Sequence, residues 1–285
     1  MKSRATIETT SVLIPTNGRP ESLKSCLEAI WNNIHPNIGV IVLDSTISSA
    51  RSEVIEAYEL IYSSMPNVRV IRPGRVIPPG HARKILAEEC QSEFFLFMDD
   101  DHEIQPGAFS CLARASEEFD IVSGRWIEDG GERPLCFHYH FSASEISKVV
   151  VKQALRYQSK LDGLIIPADD VLATMLCKRS VFERVNFDKE YHFFYELFDF
   201  FMDCERSDVS IAVAVDAIFK HNPVKYKSKS SRQTHNRESD RIYFIKKWAC
   251  EPVVVDAPRA RSENQGLGEM LKKGVRHLKK NVRDR

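Results

Sequence analysis

Short apolar runs alternate with segments of helical periodicity along the first hundred residues. The runs are rich in β-branched or aromatic residues, as in buried strands, and the segments between them place apolar residues every three or four positions, as in amphipathic helices. Strands are predicted at residues 11–16, 38–44, 67–73 and 93–99, and helices at 21–33, 52–64 and 80–91. This alternation indicates an α/β fold with a largely parallel sheet and crossover helices.

Beyond residue 120 the alternation is less regular. Strands are predicted at 120–128, 134–141 and 209–221, and a helix rich in aromatic and acidic residues at 191–208. Residues 168–188 are predicted to form a loop, a strand and a short helix. The basic, polar stretch 225–241 is predicted to be a loop or lid that leads into a further helix. This half is therefore expected to be a mixed α+β portion.

The same pattern predicts the domain organisation. One domain is expected over residues 1–250, with a first half to about residue 120 and a second half over 121–250. A basic tail follows at 251–285, and from Arg259 onwards it holds nine basic against three acidic residues. Its apolar residues lie near helical spacing, so an amphipathic helix on anionic lipid and a solvated or disordered tail are both left open.

Composition narrows the class of protein. The 285 residues are 43% hydrophobic and 28% charged with zero net charge, which is typical of a soluble globular protein and predicts no nucleic-acid partner. Seven cysteines without a CxxC pair indicate reduced thiols. The N-terminus does not resemble a signal peptide, and no apolar run reaches the roughly 20 residues of a membrane span. We expect a cytoplasmic protein, with peripheral contact at the cytoplasmic membrane face left open.

Polar residues follow three of the predicted strands at the point where each strand ends. They are Thr16, Asp44 and the run Asp99–Asp101. The carboxyl ends of parallel strands meet at one edge of a sheet, where ligands bind. Two acids at positions i and i+2 offer oxygen ligands to Mg²⁺ or Mn²⁺, and a bound cation would offset their mutual repulsion. The pattern predicts a site for a metal and a diphosphate.

Seven motifs occur in a fixed order between about residues 10 and 248. They are VLIPTNGRPESLKSCL, VIVLDS, GHARKILAEE, FFLFMDDDHEI, MLCKRSVFERVNFDKEY, FFYELFDFFMD and FKH. In this order and spacing they resemble the family 2 glycosyltransferases, which are inverting enzymes of the GT-A type that use nucleotide sugars. The resemblance implies a Rossmann-like sheet with helices on both faces and a hexosyltransferase-type activity.

The resemblance also implies roles for residues on the donor side. The residues that match the family's nucleotide loop are Pro15, Thr16 and Arg19. Asp44 matches the acid that reads the edge of the base, usually uracil, so a UDP-sugar is the favoured donor. Arg83 matches an arginine near the diphosphate, although Lys84 stands where the family usually has asparagine.

The acids after the fourth strand resemble the DxD motif of the family. By this resemblance Asp99 and Asp101, together with His221, are expected to hold Mn²⁺ or Mg²⁺. Asp99 and Asp100 are also expected to contact the donor. Histidine is a common metal ligand, which agrees with this assignment.

The acceptor side departs from the family pattern. The family usually carries Glu-Asp-x-Asp where this chain has YELFDF, so that Glu196 and Asp199 are retained but Leu197 replaces the acid that is commonly the catalytic base. Glu196 is predicted to be the base, with Asp199 as the second candidate. The spacing of three residues puts both side chains on one helical face. The alternative is that Asp199 only pairs with a lysine or arginine.

The implied reaction is a single displacement, in which a hydroxyl of a glycan, lipid-linked or other acceptor attacks the anomeric carbon of the donor. Two alternatives are left open. A sugar-1-phosphate nucleotidyltransferase would also place acids on a metal, but PTNGRPESL lacks the Gly-rich loop of those enzymes. A non-catalytic relative that binds sugar nucleotides is suggested by Leu197. The sequence predicts no oligomeric state.

Overall fold

The computed structural model describes residues 4–47, 49–65, 67–129, 131–132, 136–143, 148–155, 164–223 and 232–255. In chain order the strands are β1 Thr10–Thr16, β2 Gly39–Asp44, β3 Val68–Ile71, β4 Phe94–Phe97, β5 His102–Ile104, β6 Ile121–Glu128, β7 Gly131–Glu132, β8 Cys136–Ala143, β9 Lys148–Leu155, β10 Ile165–Pro167, β11 Asp170–Val171, β12 Met175–Lys178, β13 Ile211–His221 and β14 Glu251–Val255. The α-helices are α1 Pro20–Asn33, α2 Ser52–Ser63, α3 Pro79–Glu89, α4 Ala108–Ala115, α5 Glu196–Arg206 and α6 Arg232–Trp248. A short 3₁₀ helix covers Arg179–Val181.

The main sheet has the strand order β10-β13-β6-β12-β4-β1-β2-β3, with β5 and β7 paired at its side to β13 and β6. Strands β3, β2, β1 and β4 are parallel, and β12 runs antiparallel between β4 and β6. Strand β13 is again parallel to β6. The predicted α/β fold with a mostly parallel sheet is confirmed.

Both faces of the sheet are covered, which explains why its strands are continuously apolar. Strand β1 alternates between the two cores: Val12 and Ile14 pack on one face, and Leu13 packs on the other. The first core includes helix α1, and the second includes α3 and α5. Apolar residues on both sides fix the register of β1, because a shift by one residue would exchange the two faces.

A second, smaller sheet has the order β11-β8-β9-β14. It joins segments of the second half of the chain, and β14 runs parallel to β9. Residues 251–255 were predicted to begin the basic tail, and the structure pairs them with this sheet. The predicted boundary at residue 250 stays a prediction, and residues 256–285 lie outside the described residues.

Two helices begin at other positions than predicted. The helix predicted over 191–208 begins only at Glu196, because the backbone N–H groups of residues 192–194 donate to the carboxylate of Asp240 instead of continuing a helix. Helix α6 begins at Arg232, within the stretch predicted as a loop or lid. The sequence did not predict this start, because the stretch lacks the apolar periodicity by which a helix is recognised. The rest of the predicted lid, 225–231, lies outside the described residues.

Within the described ranges, no helix combines the length and the apolar character that crossing a bilayer requires.

Candidate functional site

The candidate site lies at the carboxyl edge of the parallel strands. Thr16 ends β1, Asp44 ends β2, and the acids Asp99–Asp101 follow β4 after Met98. Thr16 and Asp44 are register partners across β1 and β2, and Met98 donates its backbone N–H to the carbonyl of Leu13 in β1. The sheet therefore brings these three positions together, as the sequence predicted.

Arg19, between β1 and α1, pairs with two of the three acids. Its Nη1 donates to Oδ2 of Asp101 over 2.9 Å, and its Nη2 pairs with Oδ1 of Asp100. Thr16 Oγ1 donates to the other oxygen of Asp100 over 2.6 Å. Asp100 is fully buried, and this burial raises its pKa to about 7. Thr16, Arg19 and Asp100 thus bind one another here, and their contact with a donor stays a prediction, as does that of Pro15 in β1.

Asp44 has protein partners of its own. Its Oδ1 accepts the backbone N–H of Thr46 over 3.0 Å, and its Oδ2 accepts the hydroxyl of Tyr62 over 3.2 Å. Arg72 lies over the ring of Tyr62 and places its Nε 3.7 Å from Oδ2. The carboxylate is 4% exposed. A hydrogen bond between Asp44 and a nucleotide base would therefore be shared with these partners.

Arg83, in the first turns of α3, lies between the donor-side and acceptor-side acids. Its Nη2 donates to Oδ1 of Asp99 over 2.7 Å, and its Nη1 is 3.8 Å from Oε1 of Glu196. Arg83 is buried, and its Nε and Nη1 have no hydrogen-bond partner among the described residues. Since guanidinium groups bind phosphate oxygens well, Nε and Nη1 of this side chain suit an anionic ligand.

Glu196 is the first residue of α5 and is almost fully buried. Burial raises the pKa of its carboxyl to about 7, against the lowering effect of Arg83. A Cβ on Gly80 of α3 would lie 2.9 Å from Cβ of Glu196, so only glycine allows this close approach. The structure thus places Glu196 beside Arg83, with a pKa that suits proton exchange near neutral pH.

Asp199, the second predicted base, faces different neighbours. It is fully buried and accepts hydrogen bonds from Tyr191, Lys247 and Trp248 over 3.0, 2.8 and 2.7 Å. Burial raises its pKa, although Lys247 acts in the opposite direction. The helical spacing of three residues therefore does not bring Asp199 to Arg83. These contacts favour the alternative that Asp199 pairs with a lysine, and its catalytic role stays a prediction.

A cluster of one acid and two histidines lies next to Asp99 and Asp100. His102 and His221 are register partners across β5 and β13, and their rings stack with centroids 4.6 Å apart. One ligand atom from each of Asp101, His102 and His221 lies within 4.8 Å of the others. Asp99, which was predicted to be a ligand, lies outside this cluster and pairs with Arg83.

The surroundings of the two imidazoles suit a cation. His102 is 1% exposed, neither of its ring nitrogens has a hydrogen-bond partner among the described residues, and burial lowers its pKa to about 4. A neutral imidazole can ligate a metal. Glu128 of β6 binds Nδ1 of His221, which leaves Nε2 at 3.8 Å from Asp101. This carboxylate–histidine arrangement is typical of the outer shell of metal sites.

A cleft of about 200 Å³ opens on this cluster between α1 and β5. It is lined by Glu21, Ser22, Ser25, Asp101, His102, Glu103 and Asn222. The cleft gives the cluster a route to solvent. Its acidic lining would attract a cation.

Three residues near the site were missed by the sequence analysis. His102 follows the three acids directly, and the alternation of buried His102 and Ile104 with Glu103 is the strand pattern that could have shown it. Glu128 lies at the end of β6, and no local signal marks it. Asp240 lies at helical spacing from Phe244 and Trp248, but nothing in the sequence says which loop this face contacts.

The strand order, with helices on both faces of the sheet, gives this protein the GT-A fold. The sequence model of glycosyl transferase family 2 matches residues 11–185, and the chain belongs to that family. No curated protein sequence matches the chain.

Solved structures show the same fold. The structure of GalNAc-T7 with UDP, GalNAc and Mn²⁺ is similar with a TM-score of 0.57 and 14% identity, over 85% of this chain and 51% of that one. The chain thus spans about half the length of that protein. The structure of S. aureus TarS 1-349 gives a TM-score of 0.52 and 14% identity, over 85% of this chain and 72% of that one.

Glu196→Gln is expected to stabilise the protein at about pH 8 and to change little at about pH 4. The pKa of Glu196 is near 7 in the folded protein and 4.5 when unperturbed, so the folded state binds more protons between these values and stability falls as the pH rises through them. Glutamine removes this loss, which is about 3 kcal/mol. Urea unfolding of both proteins across this pH range measures the difference.

The matched control is Glu238→Gln, which removes an exposed carboxylate of α6. We expect the same pH dependence as in the wild type. A Glu196→Gln protein that is less stable than the wild type at every pH would contradict the prediction.

Proposed function

We propose that this protein transfers a sugar from a nucleoside-diphosphate sugar, with UDP-sugars favoured, to a hydroxyl of a glycan or lipid-linked acceptor with inversion of configuration. The observation that carries the proposal is the position of Arg83 between Asp99 and Glu196, which puts a phosphate-binding group beside a carboxylate whose pKa is near neutral. Membership of glycosyl transferase family 2 supports the reaction class.

Residues at the carboxyl edge of the sheet would bind the donor. Nε and Nη1 of Arg83 would donate to the diphosphate, and Arg19 is close enough to the acids to exchange one of them for a phosphate oxygen. Asp44 would accept a hydrogen bond from the base. UDP in the GalNAc-T7 structure supports the choice of nucleotide, since that protein shares the fold.

The metal would be bound by the cluster of Asp101, His102 and His221. A divalent ion held by these residues would offset the negative charge that grows on the leaving diphosphate. Two imidazoles and one carboxylate favour Mn²⁺ and later transition metals over Mg²⁺, which prefers oxygen ligands. Mn²⁺ in the GalNAc-T7 structure agrees with this choice.

The transfer itself needs one proton acceptor. The ionised carboxylate of Glu196 would take the proton from the acceptor hydroxyl while the hydroxyl oxygen forms a bond to the anomeric carbon. The bond from that carbon to the diphosphate oxygen breaks on the opposite face, and its electron pair leaves with the nucleoside diphosphate. Arg83 would stabilise the charge on that leaving group through its N–H groups.

The donor is identified by a thermal-shift screen of UDP-, GDP- and dTDP-sugars with and without Mn²⁺. We expect a UDP-sugar to raise the melting temperature only when Mn²⁺ is present, because bound ligand stabilises the folded state, by about 2.7 kcal/mol at a hundred times the Kd. A screen in which no nucleotide sugar stabilises the protein would contradict the donor assignment.

Glu196→Gln is expected to lower transfer by about 10²–10⁴-fold, because the variant lacks the general base. Binding of the donor should be unchanged, since glutamine keeps the length of the side chain. Release of nucleoside diphosphate measures transfer, and calorimetry measures binding. Asp199→Asn is the comparison variant, and a larger loss of transfer in it would move the base to Asp199. Donor binding without turnover in the wild type would favour a non-catalytic relative.

His102→Ala is expected to weaken Mn²⁺ binding by more than about 10-fold, because the variant loses one imidazole ligand. In the wild type, Mg²⁺ should bind more weakly than Mn²⁺ for the reason given above. Calorimetric titration of the metal alone measures both affinities without reference to activity. His35→Ala, which removes an imidazole outside the site, is the control. Equal Mn²⁺ affinity in the His102→Ala and His35→Ala proteins would exclude His102 as a ligand.

A further inference from the structure

A carboxylate on α6 binds the loop that precedes Glu196. Asp240 is 1% exposed and accepts the backbone N–H groups of three consecutive residues, His192, Phe193 and Phe194. These donor–acceptor distances are between 2.9 and 3.1 Å. The ring Nδ1 of His192 lies 2.9 Å from Oδ1 of the same carboxylate. A buried carboxylate that accepts several backbone N–H groups fixes the conformation of the segment that supplies them.

The loop reaches α5 through a residue with unusual backbone geometry. Tyr195 has φ of 66°, in the left-handed region, and is not glycine. Such a conformation persists only when its surroundings impose it. The ring of Tyr195 packs against Phe244 of α6, with centroids 5.7 Å apart. The carbonyl of Tyr195 accepts the N–H of Asp199, so helix α5 starts from this conformation.

One face of α6 makes these contacts. The face consists of Asp240, Phe244, Lys247 and Trp248, which lie at positions i, i+4, i+7 and i+8 of the helix. Asp240 binds the loop, Phe244 packs on Tyr195, and the last two bind Asp199 of α5. The start of α5 is thus held by a helix that begins more than thirty residues further along the chain. Glu196 is the first residue of α5, so its carboxyl takes its place from this support.

We propose that Asp240 is a positioning residue for Glu196: its carboxylate holds the backbone of residues 192–194 and thereby sets where α5 begins and where the Glu196 carboxyl lies beside Arg83. This inference rests on the proposed function, in which Glu196 is the base. Asp240 touches neither donor nor acceptor in this role. It acts only through the loop and through its charge.

The charge of Asp240 acts on Glu196 in the same direction as that of Asp99. Both carboxylates, one on α6 and one after β4, add to the effect of burial and raise the pKa of Glu196, while Arg83 of α3 lowers it. Removing the charge of Asp240 should therefore move the pKa of Glu196 downwards. A residue that served stability alone would leave that pKa unchanged.

The test compares Asp240→Asn with the wild type. Asparagine keeps the shape but turns an NH₂ group towards the N–H donors of the loop. We expect hydrogen exchange at the amides of residues 192–194 to be slow in the wild type and at least tenfold faster in the variant. We expect kcat to fall at least tenfold with the donor Kd unchanged. The pKa of Glu196, followed by ¹³C NMR and assigned with Glu196→Gln, should fall.

Two control variants separate this role from a general effect. His192→Ala removes the ring contact and leaves the three N–H donors, and Glu238→Gln neutralises an exposed carboxylate on the same helix. Both should match the wild type in exchange, kcat and the pKa of Glu196. Fast exchange of residues 192–194 in the wild type would overturn the proposal whether or not the variant folds. An Asp240→Asn protein that matches Glu238→Gln in all three measurements would overturn it as well.

The outcomes also separate this inference from the proposed function. Exchange and the NMR titration need neither donor nor acceptor. Slow exchange and a shifted pKa without any transfer would leave the positioning of Glu196 intact and would count against Glu196 as a glycosyltransferase base.

Discussion

The arrangement of the site depends on the ion pairs of one buried group, the guanidinium of Arg83. A buried cation is costly unless anionic groups surround it. Asp99 from the first half of the chain and Glu196 from the second lie on its two sides. Acidic residues from both halves of the chain therefore pair with the same cation. Gly80 allows this meeting, because any larger residue on α3 would push the start of α5 away.

The three consecutive acids after β4 have three different environments, which explains how they can follow a buried strand. Asp99 pairs with Arg83, Asp100 is fully buried against Thr16 and Arg19, and Asp101 lies between Arg19 and the two histidines. Asp99 thus has a cation of its own, whereas Asp100 and Asp101 share Arg19. Repulsion among the three is offset by Arg83, by Arg19 and by the hydroxyl of Thr16.

The sequence predicted the parts of the fold that local patterns determine. The four parallel strands of the first half are apolar on both faces, so their runs were recognisable, and their shared carboxyl edge followed from the α/β order. The pairing of His102 with His221 could not be predicted, because it depends on the register of strands far apart in the chain. The predicted start of α5 was wrong for a similar reason. Asp240, far away in the chain, accepts the backbone N–H groups that would otherwise continue the helix.

Leu197 shows why the acceptor side differs from the family pattern. Its side chain packs against both apolar cores, so an acid at this position would have to be buried among apolar groups. Glu196 lies beside Arg83 and at the N-terminus of α5, where the helix dipole favours a carboxylate. Asp199 is held by Lys247 and Trp248 of α6. Among the three positions of the motif, the one that combines a neighbouring cation with a carboxyl poised near neutral pH is therefore the first, and the support that α6 gives to the start of α5 is what keeps it there.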